Sequence, residues 1–138
     1  MSVIVTDAGF AADNWKRKIT PLTELAANDS SELAVDLTSD ADPAVLSNRL
    51  SQIAMIRVDF PSFADGRGFT IARRLRLMGY SGRLRAKGHV IADQYAMARR
   101  AGFDEIEIDD DLAARQPEIQ WLARADWAAH DYQSHLRG

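Results

Sequence analysis

Residues 59–94 read DFPSFADGRGFTIARRLRLMGYSGRLRAKGHVIADQ, and the order of features in this stretch decides the fold. An apolar run ends at Phe60, and a glycine-rich turn, Asp65-Gly66-Arg67-Gly68, follows it. Ile71, Ala72, Leu75 and Met78 then share one stripe at helical spacing, with Arg73 and Arg76 facing away as solvated residues. The spacing predicts a helix from about Gly66 or Phe69 to Met78. Gly79-Tyr80 is a helix stop, in which glycine takes the left-handed cap and an apolar residue packs back behind it. Leu84–Gly88 reads as a short strand. A second helix is expected over about Ala92–Ala101, ending in a matching stop at Gly102-Phe103.

Working outward, Ile53–Phe60 (IAMIRVDF) has the apolar, β-tolerant character of a buried strand, and Glu105–Ile108 supplies the next one. Strand, helix, strand, helix, strand with short connections implies right-handed crossovers and parallel strands under flanking helices. Leu33–Leu37 and Val3–Thr6 are further strand candidates. Asp42-Pro43 suits the cap and first position of a helix through about Gln52. Downstream, Asp109-Asp110-Asp111 offers carboxylates to a following helix N-terminus, and Pro117 breaks that helix or starts another. Trp121, Leu122 and Trp127 suggest that a C-terminal helical region, 110–138, packs on something, with fraying or docking elsewhere from about Tyr132. No Gly/Pro-rich linker or repeat divides the chain. The expectation is one α/β domain over residues 1–138, with a small, mainly parallel sheet of about four or five strands. Half-barrel and flavodoxin-like strand orders both fit.

Composition narrows the function classes. A chain of 138 residues with 46% apolar content can bury roughly two-thirds of its unfolded surface. Its net charge is −3, so neither nucleic acid nor membrane is an expected partner. There are no cysteines, which removes thiolate nucleophiles, disulfides and Cys-ligated zinc or iron–sulfur clusters. The first residues, MSVIVTDAGF, lack a basic leader, and no window approaches the roughly 20 apolar residues of a membrane span. A cytoplasmic location is expected.

Three clusters carry candidate chemistry. Seven Lys/Arg and no acid lie between Gly66 and Gly88, so the turn, helix and strand form an anion-facing surface. A glycine-rich loop after a parallel strand exposes backbone N–H groups at a helix start, and Arg67 could clamp phosphate, sulfate, sulfite or a carboxylate. Asp65 would oppose such an anion. The dull reading, in which Asp65 caps and Gly66 and Gly68 only permit turning, has equal weight. Neither a Walker loop nor a complete dinucleotide fingerprint is present.

Second, Arg83, Arg85 and Lys87 alternate along one strand and Glu105, Glu107 and Asp109 along the next. A cross-strand charge ladder, worth roughly 0.2–1 kcal/mol per pair, is the favoured reading for Arg83 and Arg85. Lys87, nearest the strand's carboxyl end, keeps more functional weight. Third, His89, Asp93 and Gln94 follow that strand. His89 and Asp93 are the candidate acid–base groups, although Asp93 equally suits a helix cap. His130 and His135 are five apart and do not align on one helical face, so no metal site is expected.

The block Phe60-Pro61-Ser62-Phe63-Ala64-Asp65-Gly66-Arg67-Gly68-Phe69 resembles a bacterial family of small proteins labelled as oxidoreductases of sulfite reduction. Ala72–Arg76, Gly79-Tyr80, Gly82, Leu84–Ala86, Gly88, Asp93-Gln94 and Gly102–Asp104 extend the match over about residues 51–109. Beyond that block it rests on Trp15 and Tyr132-Gln133. The resemblance implies a place in sulfur assimilation and carries over Asp65, Arg67, Arg74, Arg85, Asp93 and Gln94 as candidate site residues. His89 stands where the family pattern has an acid. Sulfite reduction needs redox cofactors, and the cofactor of this chain, if any, is not legible in it.

The leading expectation is a non-catalytic accessory protein of assimilatory sulfite reduction. It would bind a small anion, or dock on a reductase-pathway partner, at the edge formed by Asp65–Gly68 and Lys87–Gln94. The first alternative is a small enzyme acting on an anionic substrate through His89 and Asp93. The second is an interaction domain, a homodimer for example, built on Trp121, Trp127 and the C-terminal residues.

Overall fold

Apolar and charged residues alternate along the central strands, and that alternation gives the sheet two unlike faces. The computed structural model describes residues 2–25 and 33–128. Its strands are β1 (Ser2–Thr6), β2 (Gly9–Ala12), β3 (Thr20–Pro21), β4 (Leu33–Leu37), β5 (Ile53–Phe60), β6 (Arg83–Gly88) and β7 (Glu105–Asp109). The helices are α1 (Arg67–Leu77), α2 (Tyr95–Ala101), α3 (Asp110–Arg115) and α4 (Glu118–Leu122). All seven strands form one sheet in the order β2-β1-β7-β6-β5-β4-β3. From β3 to β7 neighbours are parallel and follow chain order. β1 runs antiparallel to both β7 and β2. The α/β class and mainly parallel sheet match expectation. Because the parallel strands never reverse their order, right-handed crossovers keep α1 and α2 on one face.

That face is the apolar one. Ile56, Val58 and Phe60 of β5, Leu84 and Ala86 of β6 and Ile106 and Ile108 of β7 pack with Phe69, Ile71, Ala72 and Leu75 of α1. Phe60 is the hub, its ring centroid 5.0 Å from Phe69 and 5.7 Å from Phe103. Gly68 lies against the same ring: a Cβ there would come within 2.4 Å of it. Trp121 of α4, 1% exposed, meets Tyr95 edge-on at 6.2 Å.

The other face carries the charge ladder. Arg85 is fully buried and reaches Glu105 at 2.6 Å, Glu107 at 2.8 Å and Asp13 at 3.0 Å. Arg57 spans Asp36 at 2.6 Å and Glu107 at 3.1 Å, and Arg83 holds Glu105 at 2.9 Å. Buried charges survive only when paired in this way. Residues 13–19 connect β2 to β3, the two outer strands, and therefore cross this face as a strap. Asp13 binds Arg85, Asn14 accepts from Arg83 at 2.7 Å, and Trp15 lies under the Arg83 guanidinium at 5.6 Å.

Several expectations are corrected. The sheet has two more strands than expected, β2 and β3, because four residues of GFAA and a Thr-Pro pair are too short to show a period. The stretch after Asp42 forms two single 3₁₀ turns, Pro43–Leu46 and Leu50–Gln52, and not one helix. Asp42 does cap the first, accepting from the Ala44 N–H at 3.0 Å, but Val45, Ser47 and Asn48 are weak helix formers. A 3₁₀ turn also replaces the first residues of the second helix, which starts at Tyr95. Gly79 and Gly102 take positive φ, 101° and 120°, at the two stops. His130, His135 and the stretch from Tyr132 lie outside the described residues.

Candidate functional site

The carboxyl edge of the parallel strands gathers the ends of β4, β5 and β6, and the candidate residues divide there according to whether they already have partners. Arg67 is the first residue of α1. Its guanidinium meets Asp65 at 2.7 Å and donates to Ser39 Oγ at 2.9 Å. Asp65 also accepts from the Arg67 backbone N–H at 3.2 Å. These hydrogen bonds hold the Asp65 carboxyl well below the usual carboxylate range. Asp65 therefore supplies the loop's anion from within the chain. A Cβ at Gly66 would make only an ordinary contact with the Phe69 ring at 3.9 Å, whereas Gly68 is required by the Phe60 contact.

Other candidates are engaged elsewhere. Arg74 pairs with Asp42, the cap of the first 3₁₀ turn, at 3.1 Å. Arg85 lies inside the ladder. Gln94 accepts from the Ile91 N–H at 3.1 Å and donates to the Phe63 carbonyl at 2.7 Å, which fastens the β6–α2 loop to the β5–α1 loop. Asp93 pairs with Arg124 at 2.8 Å. His89 donates its backbone N–H to Phe60 O at 3.0 Å, and its side chain is exposed. It lines a cavity of about 110 Å³ with Glu107 and Asp109, and neither Asp93 nor Arg67 lines that cavity.

Lys87 differs from all of these. It is exposed near the end of β6, directly opposite Asp59 of β5, and its ammonium has no hydrogen bond or ion pair within the described residues. Lys87 lines the His89 cavity and also a second one of about 410 Å³, so it stands in the wall between them. Such a volume lies within the range of small-ligand sites. Pro21, Leu22, Leu37 and Ala41 make the apolar side of the larger cavity. Thr23, Thr38, Asp36 and Asp59 add polar groups. Asp36 is committed to Arg57 through both carboxylate oxygens, at 2.6 and 2.7 Å. Asp59, like Lys87, has no partner within the described residues.

The sequence marked Lys87 as the basic residue nearest the edge but gave no sign of its cavity. Pro21 and Leu22 come from β3 and its following turn, which local patterning missed. Among the described residues no group of three or more His, Asp or Glu is arranged to hold a metal ion. Among them, too, no helix is long and apolar enough to cross a membrane.

A family model described as "Bacterial protein of unknown function (DUF934)" matches residues 34–138. No curated protein and no solved structure matches the chain.

Proposed function

Since the chain belongs to the bacterial DUF934 family, we propose that it is a non-catalytic accessory protein that holds a small organic anion at Lys87, on the carboxyl edge of its sheet. The observation that carries this reading is the unpaired Lys87 ammonium in the wall of the larger cavity. A free cation beside apolar walls suits a ligand with an anionic end and a hydrocarbon body. The resemblance to small proteins labelled for sulfite reduction supports assigning the role to sulfur assimilation. Acid–base chemistry by His89 and Asp93 is disfavoured, because Asp93 is engaged with Arg124 and does not line the His89 cavity.

Thermal-shift titration of the purified chain against sulfite, sulfate, phosphate, adenylyl sulfate and short carboxylates tests the proposal. At a hundred times its dissociation constant, a ligand stabilises by about 2.7 kcal/mol. The expected result is a stabilising anion whose effect disappears in Lys87→Met and persists in Arg67→Ala. Loss in Arg67→Ala with retention in Lys87→Met would move the site to the glycine loop. No response to any anion would overturn the binding role.

A further inference from the structure

We infer that the larger Lys87 cavity takes an α-amino acid with an apolar side chain. This rests on the reading of Lys87 as the anion contact and adds a second contact, Asp59, for the other end of the ligand.

Asp59 and Lys87 are direct partners on neighbouring parallel strands, so their side chains leave the sheet on the same face, the one that α1 and α2 do not cover. Both are exposed and both line the cavity, yet they form no ion pair with one another. Asp36, the remaining carboxylate of the wall, is neutralised by Arg57. One free negative and one free positive charge therefore stand side by side.

A simple anion would gain from Lys87 and be repelled by Asp59. A simple amine would meet the reverse. An α-amino acid carries a carboxylate and an ammonium on one carbon, and only a ligand of that kind satisfies both groups with no net charge added. An exposed Asp59–Lys87 pairing, the competing state, is worth little in water and does not bar the ligand. The rest of the wall selects the side chain: Pro21, Leu22, Leu37 and Ala41 present hydrocarbon to whatever projects from the α-carbon.

Calorimetric titration of the full chain with L-leucine, glycine, 4-methylpentanoate and 3-methylbutylamine separates the contributions. The last two are leucine without its amine and without its carboxylate. Leucine is expected to bind about tenfold or more tightly than each of the other three, since each lacks one charge-assisted or apolar contact. Asp59→Asn should bring leucine down to the affinity of 4-methylpentanoate, and Lys87→Met should remove the binding of both. Equal affinity for leucine and 4-methylpentanoate overturns the inference and leaves the anion reading standing. Binding of inorganic anions without leucine does the same. Silence from leucine, from 4-methylpentanoate and from every inorganic anion overturns both. These ligand comparisons use the unaltered chain, so they decide the matter even if a variant folds poorly.

Discussion

Arg76 satisfies three backbone carbonyls with one side chain. Its Nε donates to Gly102 O at 3.0 Å, and its Nη1 to Tyr80 O at 3.0 Å and Gly82 O at 2.8 Å. Nη2 reaches Asp104 at 3.0 Å. The helical stripe places Arg76 on the solvent side, and the structure corrects that expectation. The α1 stop and the α2 stop are both drawn onto the same guanidinium. Nothing in local periodicity reports this, because Tyr80, Gly82, Gly102 and Asp104 are defined only once both stops have folded. Truncation by Arg76→Ala leaves acceptors without donors, a loss of about 2–3 kcal/mol by chemical denaturation. Arg76→Lys is expected to recover little, since an ammonium cannot reproduce the planar fork. Full recovery by lysine would mean that charge, not geometry, holds the two stops.

At the scale of elements, the exposed edge of the sheet is managed by α4. Glu118 accepts the Phe10 N–H at 2.8 Å, so a helical carboxylate occupies a ladder position that β2 would otherwise offer to another chain. Replacing Glu118 with alanine should cost about 1 kcal/mol and speed amide hydrogen exchange at Phe10. Unchanged protection would show that other contacts of α4 cover the edge. The same comparison shows which elements were legible in the sequence. β5, α1, β6, α2 and β7 were, because each repeats an apolar period long enough to see, and all but β5 end in glycine or a capping acid. β2, β3 and the 3₁₀ turns were not, because they have too few residues for a period. Of Trp121, Leu122 and Trp127, all expected to pack on something, the two tryptophans do so within the chain, Trp121 on Tyr95 and Trp127 donating to Asp7 at 3.2 Å, while Leu122 is exposed. The candidate site followed the same division. Lys87 was legible from strand alternation, while its cavity depends on β3, which was not.

For the whole molecule, the helix-free face is the larger energetic question. Its charges are held in register by β4 to β7 and covered by the strap at Asp13–Trp15. Burial alone would raise the Asp13 carboxyl, but hydrogen bonds from Arg85 and from the Trp15 N–H, with the Arg85 and Arg83 charges, outweigh it and hold it below its ordinary value. Asp7 behaves alike: burial opposes, and Tyr95, Arg99 and Trp127 lower it. A carboxyl depressed in the folded state contributes stability that is present above its unfolded pKa of about 3.9, and is lost as pH falls through the folded value. Denaturation midpoints should therefore stay level from neutrality down to about pH 5 and decline below about pH 4. Asp13→Asn should lower the neutral plateau and flatten the acid decline. A decline of unchanged steepness would remove the strap from the account of acid stability.

The position of β1 has a consequence for how the molecule is made. Val3 pairs with Ile108, so the β1–β2 hairpin has no docking place until β7 has left the ribosome. Until then the growing parallel sheet ends in a bare strand, and the hairpin waits on a long tether whose closure sets the pace of folding. The nascent chain is thus exposed to misassociation through its middle, at an edge that the finished protein does not present.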